Sequence, residues 1–374
     1  MQTQVETLKV EKKPRIVFID MARSIAILLM LEGHFVDDSL MPIYRDLNNP
    51  IYATWLFIRG FTGPIFLTVT GIVFVYLLLG KRDEPYFQNI RIKKGFKRVV
   101  ELLFWGYILQ YYAFHVLQCI GVGIFTILLI FGIYKIIKII PLWIYYFIAG
   151  TILFGLNLYF DQLPLYEVWP KNGPYFIQNM FHGPANRAIY PLVPWLGYTM
   201  YGAMLGCLLH DLKKHVKTWY APVVTGAIGA TLFLFPKELL EGLDALIGSP
   251  FTLNLGILDW LYMRFGMVLL VLSVLMAIEK MIGDVKPNLF IKVGQNTLTI
   301  YIVHMILLYG SITGLGLNRI FRHNLGPWQV TIAAALFIVF FLVFIKYLDQ
   351  IKAKLEFILG PIRRFFNKLY NLPG

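Results

Sequence analysis

With 374 residues, 58% hydrophobic side chains, 15% charged ones and a mean hydropathy of +0.65, the chain has too little polar surface for a soluble globule and too many apolar runs for one anchor. It reads as an all-α, polytopic integral membrane protein of about ten transmembrane helices. The formal charge of +13 sets topology and contact with anionic membrane lipid, and it gives no reason to expect a nucleic-acid partner.

In chain order, a basic arm over residues 1–15 leads into apolar segments at 16–36, 51–80, 99–114, 119–134, 141–159, 190–209, 219–235, 258–278, 293–312 and 328–347. Each is long enough for a hydrocarbon core of about 30 Å. The first follows four basic residues but no small-residue cleavage site, so it is expected to be a retained span and not a removed signal peptide. Of the 34 Lys and Arg, 25 gather in alternate loops and at the two ends, which predicts that both termini are cytoplasmic. Residues 16–348 are expected to form one transmembrane domain in the cell (cytoplasmic, inner) membrane, followed by a basic cytoplasmic tail over 349–374.

The first segment carries the most information. Asp20, Arg23, Ile27, Met30 and His34 recur every three or four positions and so share one helix face. From Asp20 to His34 that face runs about 21 Å at the usual rise, nearly the depth of the bilayer. Ionisable side chains in a span are costly and by default mark a function. His34 is either a general base, since imidazole exchanges a proton near neutral pH, or an interfacial residue that bonds the headgroup region. Asp20 and Arg23 are either an ordinary i, i+3 ion pair, or Arg23 faces the cytoplasm and neutralises a phosphate. Glu32 points about 200° away from His34 and is expected to pair with Arg59 of the second segment.

Further along, the loop 81–98 mixes Phe87, Ile90, Ile92 and Phe96 with seven basic groups, as a topology signal or as a short amphipathic helix on the membrane surface. Cys119 and Cys207 have neither zinc nor disulfide spacing and are expected to be inert packing residues. The outer loop 160–189 interleaves Pro164, Pro170, Pro174 and Pro184 with Trp169, Tyr175, Phe181 and His182, which predicts an ordered cap in place of a long helix. The sixth segment opens with Tyr190, Pro191, Pro194, Trp195 and Tyr198, a kinked aromatic end, and continues to Gly202 and Gly206 at close-packing spacing. Arg264 of the eighth segment either snorkels outward or faces a polar interior. In the ninth, Asn296, Ile300 and His304 share a face, and His304 in mid-membrane looks toward a partner or a cavity.

There is no phosphate loop, HExxH, CxxC pair or GxSxG elbow, which tells against hydrolases and ATP-driven pumps, and no metal is expected. Inward-facing charges on ten helices also describe a permeation path, so a small-anion or glycolipid transporter stands as an alternative. Against it, no inverted repeat is visible.

The run Phe18 to His34 resembles the opening D-x-x-R-(G/S)-x-x-(I/L)-x-x-M signature of the heparan-α-glucosaminide N-acetyltransferase catalytic family. Three more stretches agree in family order: GFTGPIFLTVTG over 60–71, YPLVPWLGYTMYGAMLG over 190–206 and GQNTLTIYIVH over 294–304. The last is shared with the wider group of acyltransferase-3-like membrane enzymes. The resemblance implies an integral-membrane acetyltransferase that takes acetyl-CoA from the cytoplasm and passes its acetyl group to an amino sugar or other glycan on the far side. The chain departs from the eukaryotic branch in having no long domain ahead of the first span and no histidine over 37–50, as a bacterial-type member would. His34 is thereby left as the nearest candidate base.

On this reading Arg23, with Asp20, Asn296, Tyr301 and His304, would face acetyl-CoA, and a donor among Asn296, Tyr301 and His304 would steady the oxyanion. Arg59, Trp195, Tyr198, His182 and Arg187, with Asn186, would meet the acceptor. Direct transfer and a transient acetyl-histidine both fit these residues. An O-acyltransferase acting on envelope polysaccharide is the alternative within enzymes, and the oligomeric state, homo-oligomer included, stays open.

Overall fold

The computed structural model describes residues 16–109, 114–161, 169–181, 189–216, 218–247, 255–283 and 288–369, and among them the regular structure is helical throughout. The principal helices are α1 (Val17–Ser39), α2 (Pro50–Arg59), α3 (Thr62–Leu79), α4 (Ile90–Leu109), α5 (Val116–Ile136), α6 (Leu142–Gly155) and α7 (Leu192–Asp211). After these come α8 (Tyr220–Leu234), α9 (Pro236–Ile247), α10 (Asp259–Ile282), α11 (Leu289–Gln295), α12 (Thr297–Tyr309) and α13 (Pro327–Leu369).

Among the described residues six helical stretches are long and apolar enough to cross a membrane, and the number is eight if each of two bent pairs is one span. The bends are 83° between α8 and α9, at Pro236, and 81° between α11 and α12, at Asn296. The ten predicted segments fall on these eight and on α1 and α4, which are 23 and 20 residues long but too charged to count by hydropathy.

Two helices differ from expectation in their bounds. The basic run before the third segment is not a separate surface helix: α4 begins at Ile90 and carries Arg91, Lys93, Lys94, Lys97 and Arg98 on its own first turns, continuous with the apolar part. At the other end, α13 runs unbroken past residue 348 to Leu369, so the expected tail begins as more of the same helix.

The helices pack by close backbone approach, as bilayer interiors favour where small residues permit it. The α3–α7 contact is the most extensive, and a Cβ at Gly202 would overlap the Thr68 carbonyl while one at Gly71 would overlap that of Thr199. Gly206 meets Ile72 in the same way one turn further on, so the paired glycines of the sixth segment do mark a packing seam. Cys119 and Cys207 are buried free thiols.

The first helix is held at both ends. Its start has no side-chain cap of its own, and instead Glu279 of α10 accepts hydrogen bonds from the Val17 and Phe18 amides at 3.2 and 2.8 Å, a carboxylate placed at a helix N-terminus. Ser24 donates to the Phe290 carbonyl at 2.5 Å, and Gly294 lies where a Cβ would overlap the Asp20 carbonyl, which fixes α1 against α11. At the far end, Leu40 and Leu325 form a bridge, and the His323 amide donates to the Asp38 carbonyl at 2.9 Å. The orientation of the α1 face is thereby determined along its full length.

Candidate active site

A cavity of about 790 Å³ runs along that face. Arg23, Ile27, Met30 and His34 all line it, so four of the five residues predicted to share a face do so toward one space. Arg23 and His34 are eleven residues apart on a continuous helix, about 16 Å at 1.5 Å per residue. One elongated crevice therefore joins the two groups.

At the Arg23 end, the guanidinium donates to the Thr297 hydroxyl at 2.9 Å and lies 3.9 Å from the Asp20 carboxylate, the i, i+3 pair expected. Thr297 is the first residue of α12, where the chain resumes after the break at Asn296, and Thr297 and Leu298 both line the cavity. Unpaired amides at a helix start favour an anion. Arg98 of α4 lines the same cavity and pairs with Glu101 at 2.9 Å. Asp20 itself is not part of the wall.

At the His34 end, imidazoles from two distant parts of the chain meet. His34 Nδ1 is 3.4 Å from His304 Nε2 and 3.4 Å from the Tyr309 hydroxyl, and the two imidazoles cross edge to face at 5.3 Å. His304 is fully buried and packs on Tyr301 at 4.9 Å, and Tyr301 and Tyr309 line the cavity. His115, the N-cap of α5, lines it as well and exchanges a reciprocal capping bond with Gln118. Tyr190 and Trp195 complete the aromatic side, 4.8 Å apart.

The remaining predicted residues divide. Arg59 lines the cavity, yet its ion-pair partner is Asp37 and not Glu32. Glu32 instead accepts a hydrogen bond from the Trp55 indole at 2.7 Å. A two-residue offset turns Glu32 away from His34, whereas Asp37, three positions after His34, returns to the cavity face. Tyr198 is fully buried and donates to the Leu261 carbonyl at 3.1 Å, away from the cavity. Asn296 is engaged on the other side of the break, donating to the Lys292 carbonyl and accepting from Lys352, at 2.9 and 3.1 Å. Arg264 faces the interior and lines the cavity. His182, Asn186 and Arg187 lie outside the described residues.

Sequence reasoning did not single out Thr297, Tyr309, His115 or Asp37. Thr297 and Tyr309 are met only through the bend at Asn296, which re-aims α12 against α1, and no spacing within either segment signals that contact. Asp37 was within reach, since it lies one turn after His34.

Among the described residues no group of three His, Cys, Asp or Glu is placed to hold a metal. The family model described as heparan-alpha-glucosaminide N-acetyltransferase, catalytic, matches residues 15–234, more than half of the chain. It covers His34, Arg59 and Trp195 and ends before Arg264 and His304. No curated protein matches.

Proposed function

The chain belongs to the heparan-α-glucosaminide N-acetyltransferase catalytic family, and from that premise we propose that it transfers an acetyl group from cytoplasmic acetyl-CoA to an amino sugar or other glycan acceptor across the membrane it spans. The observation that carries the proposal is the single crevice with a cation at one end and an imidazole pair at the other.

The residues fit a nucleotide thioester. Arg23 and the start of α12 offer a guanidinium and helix amides at the cavity end opposite the histidines, and a phosphate-bearing group suits both. Between the two ends Ile27, Met30, Phe66, Val69 and Ile120 make an apolar wall that accepts an uncharged arm. Acetyl-CoA, when bound, supplies an acyl carbon activated by a thiolate leaving group.

His34 acts as the base. In the tautomer whose Nδ1–H is directed at His304 Nε2, 3.4 Å away, the ring presents the Nε2 lone pair. His34 takes the proton from the acceptor amine as nitrogen bonds the acetyl carbon, and returns it to the sulfur as the carbon–sulfur bond breaks. Tyr301, in the same wall, offers a hydroxyl to the developing oxyanion. His304 holds the tautomer, and Trp195 and Tyr190 give a sugar ring an apolar face with polar tips.

The test is release of free thiol from acetyl-CoA by purified protein in detergent, with a panel of amino sugars. Release that depends on the sugar and disappears in His34→Ala is expected. No release with any acceptor, together with counterflow of substrate in vesicles, would replace this reading by a transporter.

A further inference from the structure

The helix α9 carries apolar surface that the described residues leave uncovered. At about 100° per residue, Leu239, Leu243 and Leu246 fall within an arc of about 60°. All three are exposed, at 45, 47 and 85%, whereas Leu240 on the neighbouring flank is 7% exposed and joins the hydrophobic core. Lys237, Glu238 and Glu241 are exposed on the other side, where Lys237 and Glu241 pair at 3.7 Å. The helix therefore shows three faces: one packed on the bundle, one apolar and one charged.

We propose that α9 lies in the membrane interface, with Leu239, Leu243 and Leu246 seated in the acyl region of one lipid leaflet and Lys237, Glu238 and Glu241 in the water above it. Two observations select lipid as the occupant. The first is the bend: α9 turns 83° away from α8, so where α8 crosses the membrane α9 runs along its plane. The second is that the bend itself exposes Leu234 and Phe235, at 61 and 53%, so the apolar surface starts at the end of the span. Exposed charges bar α9 from the hydrocarbon core and a row of exposed leucines bars it from water, and only the boundary between the two satisfies both. On its inner side α9 packs against the turn Leu255–Leu258 that opens into α10, so the leaflet braces the end of the helix that carries Arg264 of the cavity wall.

The test is paramagnetic accessibility of a nitroxide attached to the full chain in phosphatidylcholine bilayers, at Leu243→Cys, Leu246→Cys, Glu238→Cys or Glu241→Cys in turn. All four positions are exposed, so the fold tolerates the label, and the buried Cys119 and Cys207 do not compete for it. At Leu243→Cys and Leu246→Cys, collisions with dissolved oxygen are expected to exceed those with a water-soluble nickel chelate by about threefold or more, as at a depth of about 5–10 Å below the headgroups. Glu238→Cys and Glu241→Cys are expected to show the reverse preference. Preference for nickel at all four sites overturns the proposal, because the leucine face is then in water. Preference for oxygen at all four overturns it as well, since α9 is then inside the hydrocarbon as part of a span. Poor access of both reagents to Leu243→Cys and Leu246→Cys overturns it in favour of a protein contact, such as a second copy of this chain.

Discussion

Replacing His304 by Phe separates the two roles that adjacent imidazoles can share. Phe fills the volume of a fully buried ring that packs on Tyr301 at 4.9 Å, so the helix contacts survive. On the proposed mechanism, what is lost is the acceptor for His34 Nδ1–H, worth about 1 kcal/mol for a neutral hydrogen bond. The Tyr309 hydroxyl then remains as the polar neighbour of Nδ1, at 3.4 Å, and a phenol donates there readily. That contact stabilises the opposite tautomer by a similar amount, moving the proton to Nε2 and removing the basic lone pair. The two effects together make about 2 kcal/mol, or about a 30-fold fall in kcat, with KM for both substrates little changed. Removing the opposing hydroxyl as well, in His304→Phe with Tyr309→Phe, restores activity to within about fivefold of wild type, since only the first bond is then missing. Initial rates of thiol release at saturating acetyl-CoA and acceptor read both variants, with thermal unfolding in detergent as the check on folding. A double variant no faster than the single one would refute the tautomer argument.

Three other outcomes follow from the geometry. Arg23→Gln removes a charged donor at the far end of the crevice from His34 and is expected to raise KM for acetyl-CoA by about 10- to 100-fold while changing kcat much less, the range of a charge-assisted hydrogen bond; an unchanged KM places the nucleotide elsewhere. Gly202→Leu drives a side chain into the Thr68 carbonyl across the α3–α7 seam, costs about 3 kcal/mol or more and abolishes the monodisperse peak on size exclusion, whereas Gly155→Ala, with open space around its Cβ, leaves that peak in place. Glu32→Gln keeps an acceptor for the Trp55 indole and is expected to stay within about 1 kcal/mol of wild-type stability, while Glu32→Leu strands the indole N–H and costs about 1–3 kcal/mol; equal unfolding temperatures for the two variants contradict the assigned bond.

The helical, membrane-embedded character of the chain was legible from composition alone, because apolar runs of this length have no other way to satisfy their backbone in lipid. The cavity-lining face of α1 was legible too: a period of 3.6 places Arg23, Ile27, Met30 and His34 on one side whatever surrounds them, and the cavity lies on that side. The paired glycines of α7 announced a close contact, though not that α3 would be the partner.

Periodicity says which residues of one helix face together and nothing about which second helix they meet. The tertiary structure alone decided that Arg59 pairs with Asp37 and that Glu32 takes the Trp55 indole, since both depend on how α2 lies against α1. It alone turned Tyr198 and Asn296 away from the cavity and Arg264 into it. The meeting of His34 with His304 and Tyr309 likewise spans some 270 residues and rests on an 81° break that no local pattern of hydropathy encodes. Local sequence fixes the direction of a side chain around its own helix axis; the groups that it meets there come from helices that packing brings beside it.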